Sequence, residues 1–212
     1  QQTRSPYQIA MLQMNCDLFH VSNNLDKAEK QIREAAAQGK IDLSAEVFNV
    51  GYLGTCIPDM MKLAEIEDGP SLTRMRSLAK ELSVFILAPI LFSTPSGVEN
   101  SAFLIDDTAR FSGIIQKRIP RRRTNLSAAR HPVPGLETKL GKIGVVICYD
   151  VCFPETVRLL STGPGAEGWF ESGRMARQLL FQRMVGFKPC VPCPDNLVYI
   201  AAVNRCGLSG DE

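Results

Sequence analysis

Histidine is nearly missing from this 212-residue chain, with only His20 and His131 present. The lone CxxC at Cys190 and Cys193 would need two further ligands to hold zinc, so no metal is expected. A redox CxxC should open a helix after a strand, whereas these cysteines alternate with Pro189, Pro192 and Pro194 and read as a loop. Net charge is also scarce, at +2, which argues against nucleic acid or membrane as a partner. The one basic cluster, Lys117, Arg118, Arg121, Arg122 and Arg123, reads as a solvated loop. No segment approaches the length of a membrane span, and the first residues lack the apolar core of a leader. Neither GxGxxG nor GxxxxGK[ST] occurs, which places a nucleotide-binding reading last. Seven cysteines, an odd number without framework spacing, point to reduced thiols and a cytoplasmic protein.

What is present is an ordinary globular composition, 45% hydrophobic and 22% charged, long enough for one domain over residues 1–212 with a sizeable core. The chain is organised around residues 142–160, KIGVVICYDVCFPETVRLL. The apolar run 143–147 reads as a strand buried on both faces, and Cys148 stands at its carboxyl end. Beyond a Tyr-Asp turn, Pro154 and Glu155 suit the first turn of a helix. A thiol where a strand stops and a helix starts can be held as a thiolate, the form that attacks carbonyl or nitrile carbon. A small apolar core residue is the other reading of the same cysteine.

From the amino terminus, residues 7–14 read as a strand. Ser22 and Asn23 are candidate caps for a helix carrying Leu25, Ala28, Ile32, Ala35 and Ala36 at helical spacing. Residues 41–48 read as the next strand and deliver Glu46, an acid that packing alone would not favour there. Residues 51–70 carry turn signals and could shape a pocket rim. Ser71 then reads as the cap of a second amphipathic helix with Leu72, Met75, Leu78, Ala79 and Leu82 on its core face. Strands are expected at 84–92, 101–105 and 111–116, the last ending at Lys117, which read alone would simply begin the basic loop. Residues 161–173 have little strand character, 175–185 can form a helix, and 197–203 read as a strand. Trp169 is a candidate pocket wall or buried anchor.

The pattern CYDVCFPE at 148–155, with Glu46 and Lys117 after earlier strands, resembles the nitrilase or carbon-nitrogen hydrolase superfamily. The likeness continues in GVENSAFLIDD, GKIGVV and DNLVYIAAVNRCG. The order of elements argues for a layered α/β or α+β sandwich. The resemblance sharpens that to an α-β-β-α sandwich, usually paired into a homodimer or higher homo-oligomer, and makes the C-terminal part incomplete, since family members continue through further strands.

The resemblance implies a Glu46-Lys117-Cys148 triad acting on a small-molecule amide, carbamoyl or nitrile substrate without metal or organic cofactor. Glu46 would be the general base and Cys148 the nucleophile. Lys117 and the backbone N–H of Tyr149 would stabilise the oxyanion, while Asp150 and Glu155 would hold the turn and nearby loops. Cys152 lies outside the pattern's fixed positions and reads as structural. Two departures motivate the competing reading, a catalytically silent binding or scaffold protein. The run before Glu46 is shortened, and residues 124–131 lack the second acid many members carry, Glu137 lying beyond the Pro134-Gly135 turn.

Overall fold

The structure is a computed structural model that describes residues 8–37, 40–44, 47–53, 55–117, 135–162, 168–173, 191–193 and 198–206. Its first sheet runs β1 (Gln8–Leu12), β2 (Lys40–Ser44), β3 (Ile86–Thr94), β4 (Gly97–Ile105) and β5 (Phe111–Gln116) in that spatial order. A second sheet contains β6 (Leu136–Thr138), β7 (Gly141–Ile147), β8 (Gly168–Gly173), β9 (Val191–Cys193) and β10 (Val198–Asn204), in the order β6-β7-β8-β10-β9. The helices are α1 (Val21–Ala36), the short α2 (Ile57–Met61), α3 (Pro70–Leu82) and α4 (Pro154–Thr162).

Period-two alternation divides the first sheet between two cores. Ile86, Ala88, Ile90, Phe103 and Ile105 point to one face, where they meet Leu25, Ala28 and Ile32 of α1 and Leu72, Met75, Leu78 and Ala79 of α3. Leu87, Ala102, Leu104 and Ile115 point to the other and pack on Ile143, Val145, Ile147, Ala201 and Val203 of the second sheet. Each of the larger side chains among these, the Leu, Ile, Val, Met and Phe, contributes about 1.5–3 kcal/mol when fully buried. On the far side of the second sheet α4 packs on β7, with Leu160 buried. The layers are therefore helix, sheet, sheet, helix, the expected α-β-β-α sandwich.

Several local expectations shift. Helix α1 begins at Val21, with His20 rather than Ser22 or Asn23 at its N-cap and no side-chain cap bond. Asn24 fixes the entry instead, accepting from Asp17 N at 2.7 Å and donating to Asp17 O at 2.7 Å. Helix α3 has Gly69, not Ser71, at its N-cap. Strand β2 stops at Ser44, and 47–50 form a buried turn in which Val47 has φ 49°. Residues 168–173 do form a strand: β8 is paired in parallel on both sides, by β7 and β10, and such a ladder overrides weak propensity. The proline-laden stretch contributes β9 as well. Among the described residues β9 is an edge strand, a position that tolerates Pro192. The expected helix over 175–185 lies outside the described residues.

Strand directions bring several strand ends together. β1, β2 and β3 are parallel, and β5, antiparallel to β4, runs with them. In the second sheet β7, β8 and β10 are parallel to one another. The two sets are tied at their carboxyl ends, where Cys206 N donates to Met14 O at 3.2 Å and Arg205 donates to Tyr52 O at 2.9 Å. One end of the stack thus gathers the carboxyl termini of β1, β2, β5, β7 and β10.

Candidate active site

Cys148 follows β7 directly and opens a 3-10 turn, Cys148–Cys152, that leads into α4. Its φ is 52°, a left-handed backbone that a residue with a Cβ adopts rarely, at a cost of order 1–3 kcal/mol. Such strain persists where the surroundings over-determine it. Here the flanks are fixed by the buried strand before the cysteine and by bonds after it, Phe153 N to Asp150 O at 3.2 Å and Thr156 N to Phe153 O at 3.0 Å. The thiol is half-buried and packs beside the inter-sheet core. Tyr149 supplies the next backbone N–H of the turn, Asp150 is buried within it, and Glu155 is exposed in the first turn of α4.

Lys117 follows β5 and is buried, with only 7% of its surface exposed. Its backbone N donates to Asn100 O at 2.8 Å, which extends the β4–β5 ladder by one residue and fixes where the side chain starts. The strand carrying it lies close to the second sheet through Gly113, where a Cβ would stand 2.2 Å from Leu136 Cδ2. Only glycine leaves room for that approach without a shift of the leucine.

Glu46 lies outside the described residues, between the end of β2 and the turn at 47–50. That turn is firmly held. Phe19 N donates to Val50 O at 2.8 Å, Gly51 N to Val47 O at 3.0 Å, and Asn24 Nδ2 to Asn49 O at 2.9 Å. The structure therefore brings the ends of the strands bearing Lys117 and Cys148 to the same edge as the end of β2. Nearby, burial pushes the Cys16 thiol up, an effect only partly offset by the Arg205 guanidinium. Among the described residues no three His, Cys, Asp or Glu side chains cluster as metal ligands would.

One group of buried polar residues gives no motif signal. Glu65, Asn49 and Ser71 form a connected network behind the 47–50 turn. Ser71 stands out in sequence only as a helix cap and Glu65 only as part of a rim loop. The available hint is an acid shortly before a Gly-Pro helix start.

A model of the carbon-nitrogen hydrolase family matches residues 8–177. The chain is 32% identical over 161 residues to an N-carbamoylputrescine amidase of Arabidopsis thaliana, covering 72% of this chain and 54% of that protein. It is 29% identical over 157 residues to a nitrilase of Pyrococcus abyssi, covering 72% of this chain and 60% of that one. The matches thus span little more than half the length of these relatives. Among solved structures, a CN-hydrolase superfamily protein from Xanthomonas campestris superposes with a TM-score of 0.80 at 24% identity, over 96% of this chain and 77% of that one. A glutamate-to-glutamine mutant of an amidase of Nesterenkonia sp. AN1 does so with a TM-score of 0.76 at 22% identity, over 97% of this chain and 81% of that chain, and shows Michael addition of acrylamide at its active site cysteine. With a family match across most of its length, the chain belongs to the carbon-nitrogen hydrolase family of the nitrilase superfamily.

Proposed function

We propose that this protein hydrolyses a non-peptide C–N bond of a small amide through a thioester on Cys148. The observation that carries this reading is the strained left-handed Cys148 at the end of β7, on the stack edge where β5 ends at buried Lys117. Glu46 takes the thiol proton, and the thiolate adds to the substrate carbonyl, forming a C–S bond and an oxyanion. Lys117 and the Tyr149 N–H stabilise that oxyanion, a contribution of roughly 3 kcal/mol for one such donor. Collapse breaks the C–N bond, and the leaving amine takes the proton from Glu46. Glu46 then removes a proton from water, the hydroxide attacks the thioester, and the acid leaves as the cysteine thiolate is restored. Asp150 and Glu155 brace the turn and the start of α4.

A carbamoyl substrate, which would release ammonia and carbon dioxide, is the second reading, and the N-carbamoylputrescine amidases and a Francisella tularensis citrullinase among the relatives favour it. Nitriles complete the substrate class. The protein is further read as a single-domain cytoplasmic enzyme that pairs through the α4 face, where Leu159 is 57% exposed.

The test is ammonia release across a panel of amides, ureido compounds and nitriles, with Cys148→Ala as the control. Turnover of one class that Cys148→Ala abolishes supports the assignment. No turnover of any class, with the protein folded, favours the scaffold reading.

A further inference from the structure

Among the described residues, the buried Glu65 carboxylate is held by neutral donors. Its Oε1 accepts from Ser71 Oγ at 2.6 Å and from Asn49 Nδ2 at 3.0 Å, and its Oε2 accepts from Ser71 N at 2.8 Å. Asn49 Nδ2 also reaches Ser71 Oγ at 3.0 Å. Space is reserved for the carboxylate, since a Cβ on Gly69 would stand 2.6 Å from Oε2. Gly69 has an ordinary φ of −66°, so it is glycine's lack of bulk that matters there. The backbone of Glu65 is pinned as well. It bridges β3 at Phe92, with Glu65 N donating to Leu91 O at 3.0 Å and Ser93 N to Glu65 O at 2.8 Å. That side of β3 is the one β2 occupies at its other end, since β4 pairs along the opposite side throughout. Glu65 therefore stands on the same side of β3 as β2, opposite Phe92 and further along β3 than the last β2 pair, Leu43 with Leu87.

Part of this arrangement caps a helix, because Ser71 N is one of the orphan donors of the first turn of α3 and a carboxylate suits the positive end of its dipole. Capping does not explain Asn49. A buried carboxylate is costly to desolvate, and a serine or aspartate at the N-cap would have served α3 alone. The extra bond runs to the turn at 47–50, whose Asn49 carbonyl is clamped from the other side by Asn24 Nδ2 at 2.9 Å. Within that turn Val47, β-branched and fully buried, is held at φ 49°. A strained residue of this kind keeps its conformation only where its surroundings impose it. Val47 is covalently next to Glu46.

We propose that Glu65, acting through Asn49, is a positioning residue that imposes the strained turn at Val47 and so supports the adjoining Glu46 as the general base for Cys148. The inference rests on the reading of Glu46 as general base. It separates two functions of one carboxylate, the bonds to Ser71 capping α3 and the bond to Asn49 setting the base.

The experiment is the pH-rate profile of iodoacetamide alkylation at Cys148, followed by peptide mapping, on the wild-type protein and on Glu46→Gln, Asn49→Ala, Glu65→Gln and Glu46→Gln/Asn49→Ala. Asn49→Ala leaves the cap on α3 intact, so it keeps the test decisive if Glu65→Gln fails to fold. Removing a general base costs about 10²–10⁴-fold, and mispositioning it is expected to slow alkylation near neutral pH by about tenfold and to move the profile to higher pH. The double variant should be no slower than Glu46→Gln, because Asn49 acts through Glu46. Slowing by Glu46→Gln but not by Asn49→Ala overturns this inference alone, as does multiplicative slowing in the double variant. No slowing by Glu46→Gln overturns the general-base reading and this inference with it.

Discussion

Gly113 of β5 lies so close to Leu136 of β6 that a Cβ on residue 113 would stand 2.2 Å from Cδ2 and 2.7 Å from Cδ1 of the leucine. This contact sets how near the strand that ends at Lys117 comes to the sheet that carries Cys148. Gly113→Ala should therefore act as overpacking, lowering stability by about 1–3 kcal/mol in urea denaturation. Adding Leu136→Ala removes the obstructing methyls, so the two losses should be less than additive.

Strain at Cys148 gives a second prediction. Alanine keeps the Cβ that a φ of 52° disfavours, whereas glycine does not. Both variants remove the nucleophile, but Cys148→Gly should be the more stable of the two by about 1 kcal/mol, read as a higher Tm. Equal melting temperatures would mean that the turn relaxes at no cost.

Asp106 offers a pH-dependent test away from the site. Burial raises its pKa, but hydrogen bonds from Thr108 Oγ1 at 2.6 Å, Thr108 N at 2.8 Å and Arg110 N at 3.0 Å outweigh this, and the net shift is downward. A folded-state pKa below the unfolded one gives stability that is present above the ordinary carboxylate range and is lost as pH falls through the lowered value. Asp106→Asn should thus be less stable than wild type near neutral pH, and the gap should close on acidification. A gap independent of pH would contradict this.

The pairing proposal predicts that Leu159→Arg, which places charge on the exposed side of α4, shifts the protein towards monomer in sedimentation with little change in Tm. A wild-type monomer would end that proposal.

Sequence made the frame legible wherever one period dominated. The buried run of β7, the stripes of α1 and α3, and β5 ending at Lys117 follow from alternation or helical spacing. Strands stabilised by their neighbours were harder to read. β8 is weak in itself and forms between two parallel partners, and β9, an edge strand among the described residues, carries a proline. The Glu65 network was hidden for another reason. Its members lie at residues 49, 65 and 71, and only the fold of the rim loop brings them together. The strain at Val47 and Cys148 is also invisible in sequence, since neither residue type favours a positive φ.

The most direct test of the central claim compares cysteines within one sample. Brief iodoacetamide treatment at neutral pH, read by intact mass and peptide mapping, sets Cys148 against thiols such as Cys16, which burial keeps protonated. An activated nucleophile predicts rapid, selective labelling of Cys148 that slows in Glu46→Gln. Labelling of Cys148 no faster than that of the other cysteines would contradict an assembled triad.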